Sequence, residues 1–419
     1  LHTERWQASA RRVEKARNWD RGHLSRGAAE RLYGKRVPMS ASRMDKYKSC
    51  HFSYFMRYGL KAEPRKPAGF TAPEYGTFVH YVLEQVLQDG MFRQTALPGM
   101  ETTFGPAERT RLHQLTQAAV ERYVAEQLGG LEGQSQRFQY LFRRLLRSVQ
   151  AVVDNAAEEL LNGQFRPISF ELGFSKGGEL PPVELTADGV TLSVSGFVDR
   201  VDGWLHDGRL YLRVVDYKTG RKEFRLSDVR MGLDIQMLLY LFTLQAEGER
   251  HFGMPVEPAG VLYFPARDEI LSAERNISPE LLAAKRAGEL HRCGLLLRDP
   301  EVLRAMEHEA LERPVYLPIN VDKAGDISKS LASARQLGQL RRYVDRLLHR
   351  ITREIRDGNI DADPVFQTPS QGACRYCQWA GACHFEDGHG RDRRHYREKM
   401  DEKEFWDTLE SEEGGEDHG

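Results

Sequence analysis

Two short segments carry acids and a lysine at spacings that chemistry can use. The first is Gly196-Phe197-Val198-Asp199-Arg200-Val201-Asp202; the second is Val214-Val215-Asp216-Tyr217-Lys218-Thr219-Gly220. Strand side chains alternate between faces, so Asp216 and Lys218 point the same way. Asp199 falls near the end of the preceding strand, and Asp207-Gly208 predicts a tight hairpin between the two. Asp199, Asp216 and Lys218 can therefore converge at one sheet edge. Two carboxylates suit a hard divalent ion such as Mg²⁺. Such an ion polarises a phosphoryl oxygen and lowers the pKa of bound water, while a lysine stabilises developing charge or positions the water. That set suits phosphodiester hydrolysis. A bare Asp-x-Lys is more often a solvated surface pair of little energetic value. The apolar run before Asp216 argues against that here, because it drives the strand into the core.

Two helices offer further parts. His80 lies on a helix expected over Glu74 to Gln88, with Glu84 one turn beyond on the same face. It is a candidate third metal ligand beside Asp199 and Asp216, although a lone helical histidine is commonly a bystander. Gln236 and Tyr240 share a face of the helix after the strands, where they can hydrogen-bond phosphate or the lysine. The ordered set His80, Asp199, Asp216-Tyr217-Lys218 and Gln236-x-x-x-Tyr240 resembles the PD-(D/E)XK nuclease superfamily, in its RecB/Cas4-like branch. Val214 stands where that pattern has a proline. The resemblance implies an α/β nuclease core, a central mixed sheet flanked by helices. It also implies that Asp199, Asp216, Lys218, Gln236 and Tyr240 serve catalysis, with His80, Asp199 and Asp216 on Mg²⁺.

A second constellation is made of cysteines. Cys374-x2-Cys377-x5-Cys383 is a tight cluster; Cys50 stands alone far upstream, and Cys293 has no cysteine neighbour. Four thiolates suit zinc or an iron–sulfur cluster. Spacing alone slightly favours zinc, but a zinc ribbon has two C-x-x-C knuckles and this chain has one, which shifts the balance toward [4Fe–4S]. One cysteine before the nuclease motifs and three after them is similar to the iron–sulfur staple of AddB-type and Cas4-type nucleases. By that resemblance Cys50, Cys374, Cys377 and Cys383 bind a [4Fe–4S] cluster that ties the two ends of the domain together. Ser40-Ala41-Ser42-Arg43 through Tyr58-Gly59-Leu60 and Pro258 through Phe264 extend the likeness to the C-terminal nuclease part of AddB-type proteins. This implies an exonuclease that processes double-strand-break ends for homologous recombination, cutting the 5′-ended strand beside an AddA-type helicase–nuclease partner. The start at Leu1 fits a helicase-like region missing from the N-terminal side. The alternatives are a shorter Cas4-like iron–sulfur exonuclease, a zinc-stapled nuclease, and a non-catalytic DNA-binding or assembly module.

The rest of the chain must position these groups. It has 419 residues, 40% hydrophobic and 29% charged, with a net charge of -1, a composition that rules out global disorder and names no partner by bulk charge. No apolar run is long enough for a transmembrane helix and no secretory leader is visible, so the expectation is a cytoplasmic protein without a membrane partner. Five cysteines are no disulfide scaffold. The G-x-x-x-x-G-K-[ST] phosphate-binding loop is absent. Periodicity predicts helices over Ser42 to Tyr58 and Ser227 to Ala246, and strands over Ile168 to Phe174, Leu192 to Val201, Leu210 to Asp216 and Ala259 to Phe264. The expected divisions are a basic helical lead-in over 1–38, the nuclease domain over 39–395, and an acidic, disordered tail over 396–419. Leu1 to Lys66 holds 17 Lys/Arg against 6 Asp/Glu, and Asp401 to Gly419 holds 9 acids against one Lys. Single-stranded DNA or a duplex end is the expected ligand of this basic stretch, through Arg43 and Lys46. Arg342 and Arg346, on an amphipathic helix near Arg341, Arg350 and Arg353, are further candidates; those arginines equally suit a solvated face.

Overall fold

Alternating apolar residues build a six-stranded mixed sheet at the centre of the chain. A computed structural model describes residues 2–17, 21–63, 72–92, 105–127, 129–130, 136–267, 276–368 and 371–416. The central strands are β1 (Arg166–Phe174), β2 (Gly196–His206), β3 (Arg209–Lys218), β4 (Val256–Pro265), β5 (Cys293–Leu297) and β6 (Leu331–Ala332). They lie side by side in chain order, β1 through β6. β1, β2 and β3 run antiparallel, joined at the last step by the expected turn, with Asp207 at φ 48° and Gly208 at φ 74°. β3 and β4 are parallel. A parallel neighbour demands a crossover, supplied by a helix that packs back on both strands.

Five helices bear on the site: α1 (Ala41–Ser49), α2 (Ala72–Leu87), α3 (Gln236–Phe252), α4 (Ala334–Arg356) and α5 (Glu402–Glu416). α3 is the crossover, and it buries Leu238, Leu241 and Leu244 toward the sheet. α2 rests on β1 and β2 with Phe78, Val79, Val82 and Leu83 fully buried, which turns His80 toward the strand ends. α4 opens with a reciprocal capping box between Ser333 and Gln336 and buries Leu340, Val344, Leu347, Ile351 and Ile355.

Several expectations are corrected. The predicted strand over Leu192 to Val201 is two strands. Val190–Val194 pairs in a satellite sheet with Arg36–Met39 and Val183–Ala187, and the chain changes sheets before Gly196. The predicted helix over Ser42 to Tyr58 is capped by Ser40 and breaks at Cys50, which is extended; a short helix and a π-helical turn follow. The predicted helix from Ser227 breaks after Arg230, where Gly232 and Asp234 take left-handed backbone, and resumes at Gln236. The acidic tail is not disordered over 402–416: it forms α5, anchored by buried Phe405, Trp406 and Leu409. Its acids find cations, with Glu413 on Arg342 at 2.8 Å and Glu410 on Arg335 at 2.6 Å. Residues 417–419 lie outside the described residues.

Candidate active site

The site lies where the C-terminal end of β3 meets β1 and β2. The β2–β3 register sets Arg200 against Val215, so Asp199 emerges beside Asp216. Asp199 is fixed by the backbone N–H of Tyr217, which donates to Oδ2 at 2.7 Å. From α2, His80 reaches both strands: Nε2 donates to the Tyr217 carbonyl at 3.0 Å, and Nδ1 lies 3.5 Å from Asp199 Oδ1. Burial alone would lower the His80 pKa, but Asp199 and the Tyr217 carbonyl overcome it and raise it. Lys218 Nζ sits 2.5 Å from Asp216 Oδ2. Burial disfavours the ammonium, and Asp216 outweighs burial, so the Lys218 pKa also rises.

A third acid joins them. β1 pairs Phe170 with Arg200 and Leu172 with Val198, which leaves Glu171 alongside Asp199. Glu171 has φ 47°, a left-handed backbone that a non-glycine residue adopts only when its surroundings impose it. Ligand atoms of His80, Glu171 and Asp199 all lie within 4.8 Å of one another. The metal set expected from sequence was His80, Asp199 and Asp216. The structure groups the first two closely with Glu171, and it sets Asp216 beside Asp199 and paired with Lys218. Sequence reading missed Glu171 because nothing marks it within an ordinary strand; the local signal is its distorted backbone.

The electrostatics fit a cation. Burial and the nearby Asp199 push the Asp216 carboxyl up to about 6, and Asp216 is only 6% exposed. The same causes push Glu171 up to about 7. Carboxylates held this far above their ordinary range lack compensating positive charge, and a hard divalent ion beside Asp199 would supply it.

Gln236 and Tyr240 support the mouth of the site. Gln236 Nε2 donates to the Tyr240 hydroxyl at 3.3 Å, and the Tyr240 ring stacks on Phe174 at 5.0 Å. Burial, and then the Asp216 and Asp199 charges, raise the Tyr240 pKa. Gly196 makes room for that hydroxyl, since a Cβ there would lie 1.8 Å from it. The glycine that opens the first motif is thus required by space.

The neighbouring Asp202 has another role. It is buried with Arg200 Nε and Arg213 Nε each at 2.8 Å. Glu159 continues this network to Arg213 at 3.0 Å and Arg292 at 2.6 Å. Burial would raise the Glu159 carboxyl, but Arg292, Arg213 and Arg200 hold it down at about 2.

The cysteines meet at a second place. Cys50, Cys374, Cys377 and Cys383 line one cavity of about 270 Å³, with Phe52, Ala362 and Phe385 in its wall. Cys50 and Cys383 are buried, and none of the four forms a disulfide. Cys293 is elsewhere, its thiol directed at the Lys222 carbonyl at 3.4 Å. Of the residues expected to meet DNA, Lys46 lies on the wall of this cavity. Arg43 folds back to the Pro38 carbonyl at 2.8 Å and over the Tyr58 ring. Arg342 is engaged by Glu413, and Arg346 is half-buried and close enough to feel the same acid.

The site's geometry agrees with comparisons to known proteins. The profile of the PD-(D/E)XK nuclease superfamily matches residues 38–384. A protein of Clostridium acetobutylicum, named as the B subunit of an ATP-dependent helicase/deoxyribonuclease, is 32% identical over 400 residues, 94% of this chain and 34% of the relative. A protein of the same name from Acetivibrio thermocellus is 33% identical over 366 residues, 87% of this chain and 31% of the relative. The chain thus spans about a third of the length of the curated relatives it matches. With its motif residues gathered at the ends of β1, β2 and β3, the chain belongs to the PD-(D/E)XK nuclease superfamily.

Proposed function

We propose that this chain is the Mg²⁺-dependent DNA exonuclease domain of an AddAB-type helicase–nuclease. In this reading it trims the 5′-ended strand at double-strand breaks for homologous recombination while an AddA-type partner unwinds the duplex. The observation that carries the reading is the convergence of Asp199, Asp216, Glu171 and His80 beside Lys218. A bound Mg²⁺ would polarise the phosphoryl oxygen and lower the pKa of its water. Asp199, with His80 and Glu171, would hold the ion, and the buried Asp216 beside Asp199 would add its carboxylate while pairing with Lys218. The Lys218 ammonium, kept charged by Asp216, faces the scissile phosphate and stabilises the charge that builds there. His80 holds the Tyr217 carbonyl in place, and Gln236 orients the Tyr240 hydroxyl toward the acids.

The same reading assigns a [4Fe–4S] cluster to Cys50, Cys374, Cys377 and Cys383. All four line one cavity with apolar walls. Iron and sulfide analysis of anaerobically purified protein tests it, and stoichiometric zinc would refute it.

The first experiment is cleavage of end-labelled single-stranded DNA in Mg²⁺ by the protein and its Asp216→Ala variant. Cleavage by the parent only is the expected result. DNA binding by both without cleavage by either would favour a non-catalytic binding module.

A further inference from the structure

The row of charge does not stop at Lys218. The Tyr263 ring lies 5.8 Å from Lys218 Nζ and 5.1 Å from Lys222 Nζ, so two lysines flank one aromatic face. Lys222 pairs with Asp234, whose backbone N–H donates to Asp45 Oδ1 at 3.0 Å. Asp234 has φ 57°, another backbone outlier of the kind that gathers at ligand sites. These residues open onto a groove of about 660 Å³ between α1 and the hairpin around Gln367 and Gln371, within the range of about 300–1,000 Å³ usual for ligand sites. Polar side chains on its walls include Ser42, Lys46, Lys222, Gln367, Gln371 and Arg397. Lys46, Ser49 and Ala373 also line the cysteine cavity, so the two adjoin, and Lys222 on the groove wall shares the Tyr263 ring with Lys218 of the nuclease centre.

We propose that this groove seats the nucleotides of single-stranded DNA next to the scissile phosphate, with Lys46 on a backbone phosphate and Asp45, Gln367 and Gln371 at base and sugar edges. The inference rests on the nuclease reading and adds the path of the strand. Three observations carry it. Among the described residues the Lys46 ammonium has no ion-pair partner, whereas Lys222 and Arg397 are paired with Asp234 and Asp228. Gln367 and Gln371 are exposed on the facing wall, where Gln371 offers its amide and Gln367, whose Oε1 accepts from Arg397 at 3.3 Å, offers its NH2. Asp45 lines the same groove and accepts from the Asp234 N–H, which fixes its carboxylate as an acceptor on that wall.

The test is photo-labelling and affinity on the full chain, with Ca²⁺ replacing Mg²⁺. A single strand carrying a diazirine nucleotide one or two positions from the cut should label peptides around 42–49 and 365–373. Lys46→Glu should bind (dT)20 about tenfold more weakly, and its log–log salt slope should flatten by about 0.7, the value for one lost single-strand phosphate contact; Lys46→Arg should restore both. Labelling confined to other peptides, or unchanged affinity in Lys46→Glu, would overturn the proposal. Polyglutamate competing as well as DNA would reassign the groove to an acidic protein segment. Failure of the nuclease reading shows separately, as absence of Mg²⁺-dependent cleavage while the Ca²⁺ labelling is still read.

Discussion

Asp199 and Asp202 share strand β2, yet they live in opposite electrostatic worlds. Asp202 and Glu159 are surrounded by Arg200, Arg213 and Arg292, all buried, with three cations for two acids. Asp199, Glu171 and Asp216 share Lys218 and His80, and two of the three carboxyls are pushed upward. The first network is complete without help. The second is short of positive charge, as expected of a site that binds a metal. The same residue types on one sheet thus divide into a part that holds the fold and a part held ready by it.

Four measurements would break or sharpen that contrast. The largest effect is expected from Asp216→Asn, which should reduce cleavage to background yet leave folding intact, because it removes an acid that burial penalises; a collapse of folding would place Asp216 with the structural network. Next, Glu159→Gln should cost about 3–5 kcal/mol of stability by leaving buried arginines uncompensated, read as a lower denaturation midpoint. A midpoint equal to the parent's would show that the arginine network is not structural.

The third concerns pH without divalent metal. Asp216 has a folded pKa raised to about 6, so its contribution is full below the ordinary carboxylate pKa and is lost as pH rises through about 6. Raising pH from 4 to 7 should therefore destabilise the parent relative to Asp216→Asn, and Mg²⁺ should cancel the difference. Glu159, held down at about 2, has the reverse sign: its contribution is present above the ordinary glutamate pKa and is lost as pH falls toward 2. Melting curves that show one slope for both residues would erase the distinction. The smallest effect is expected from Gly196→Ala. Its methyl would displace the Tyr240 hydroxyl, at a cost of about 1–3 kcal/mol, with a partial loss of cleavage measured beside the thermal midpoint.

Much of this site was legible in the sequence because its signals are local. Alternation and the Asp207-Gly208 turn place Asp199, Asp216 and Lys218 without knowledge of distant residues. Glu171 was not legible: it reaches the site through a register between strands and a strained φ. Gly196 reads as an ordinary strand glycine until Tyr240 arrives from α3. The tail misled for a different reason. Its acidic composition hides the apolar trio Phe405, Trp406 and Leu409, and only the arginine-bearing surface beneath explains why those acids order. In the same way, the arginines of α4 read equally well as a DNA track until Glu410 and Glu413 are seen on Arg335 and Arg342.

The strand order carries a consequence for synthesis. Because β1 to β6 stand in the sheet in the order they leave the ribosome, each new strand can dock on an edge already in place. The cysteine cavity cannot grow this way. One wall comes from Cys50, and the rest waits for Cys374 through Cys383. That closure bridges a very long loop, so it comes late. A filled cysteine cavity would certify a chain made and folded through Cys383, and a product truncated before Cys374 would carry a finished sheet with no means of passing that inspection.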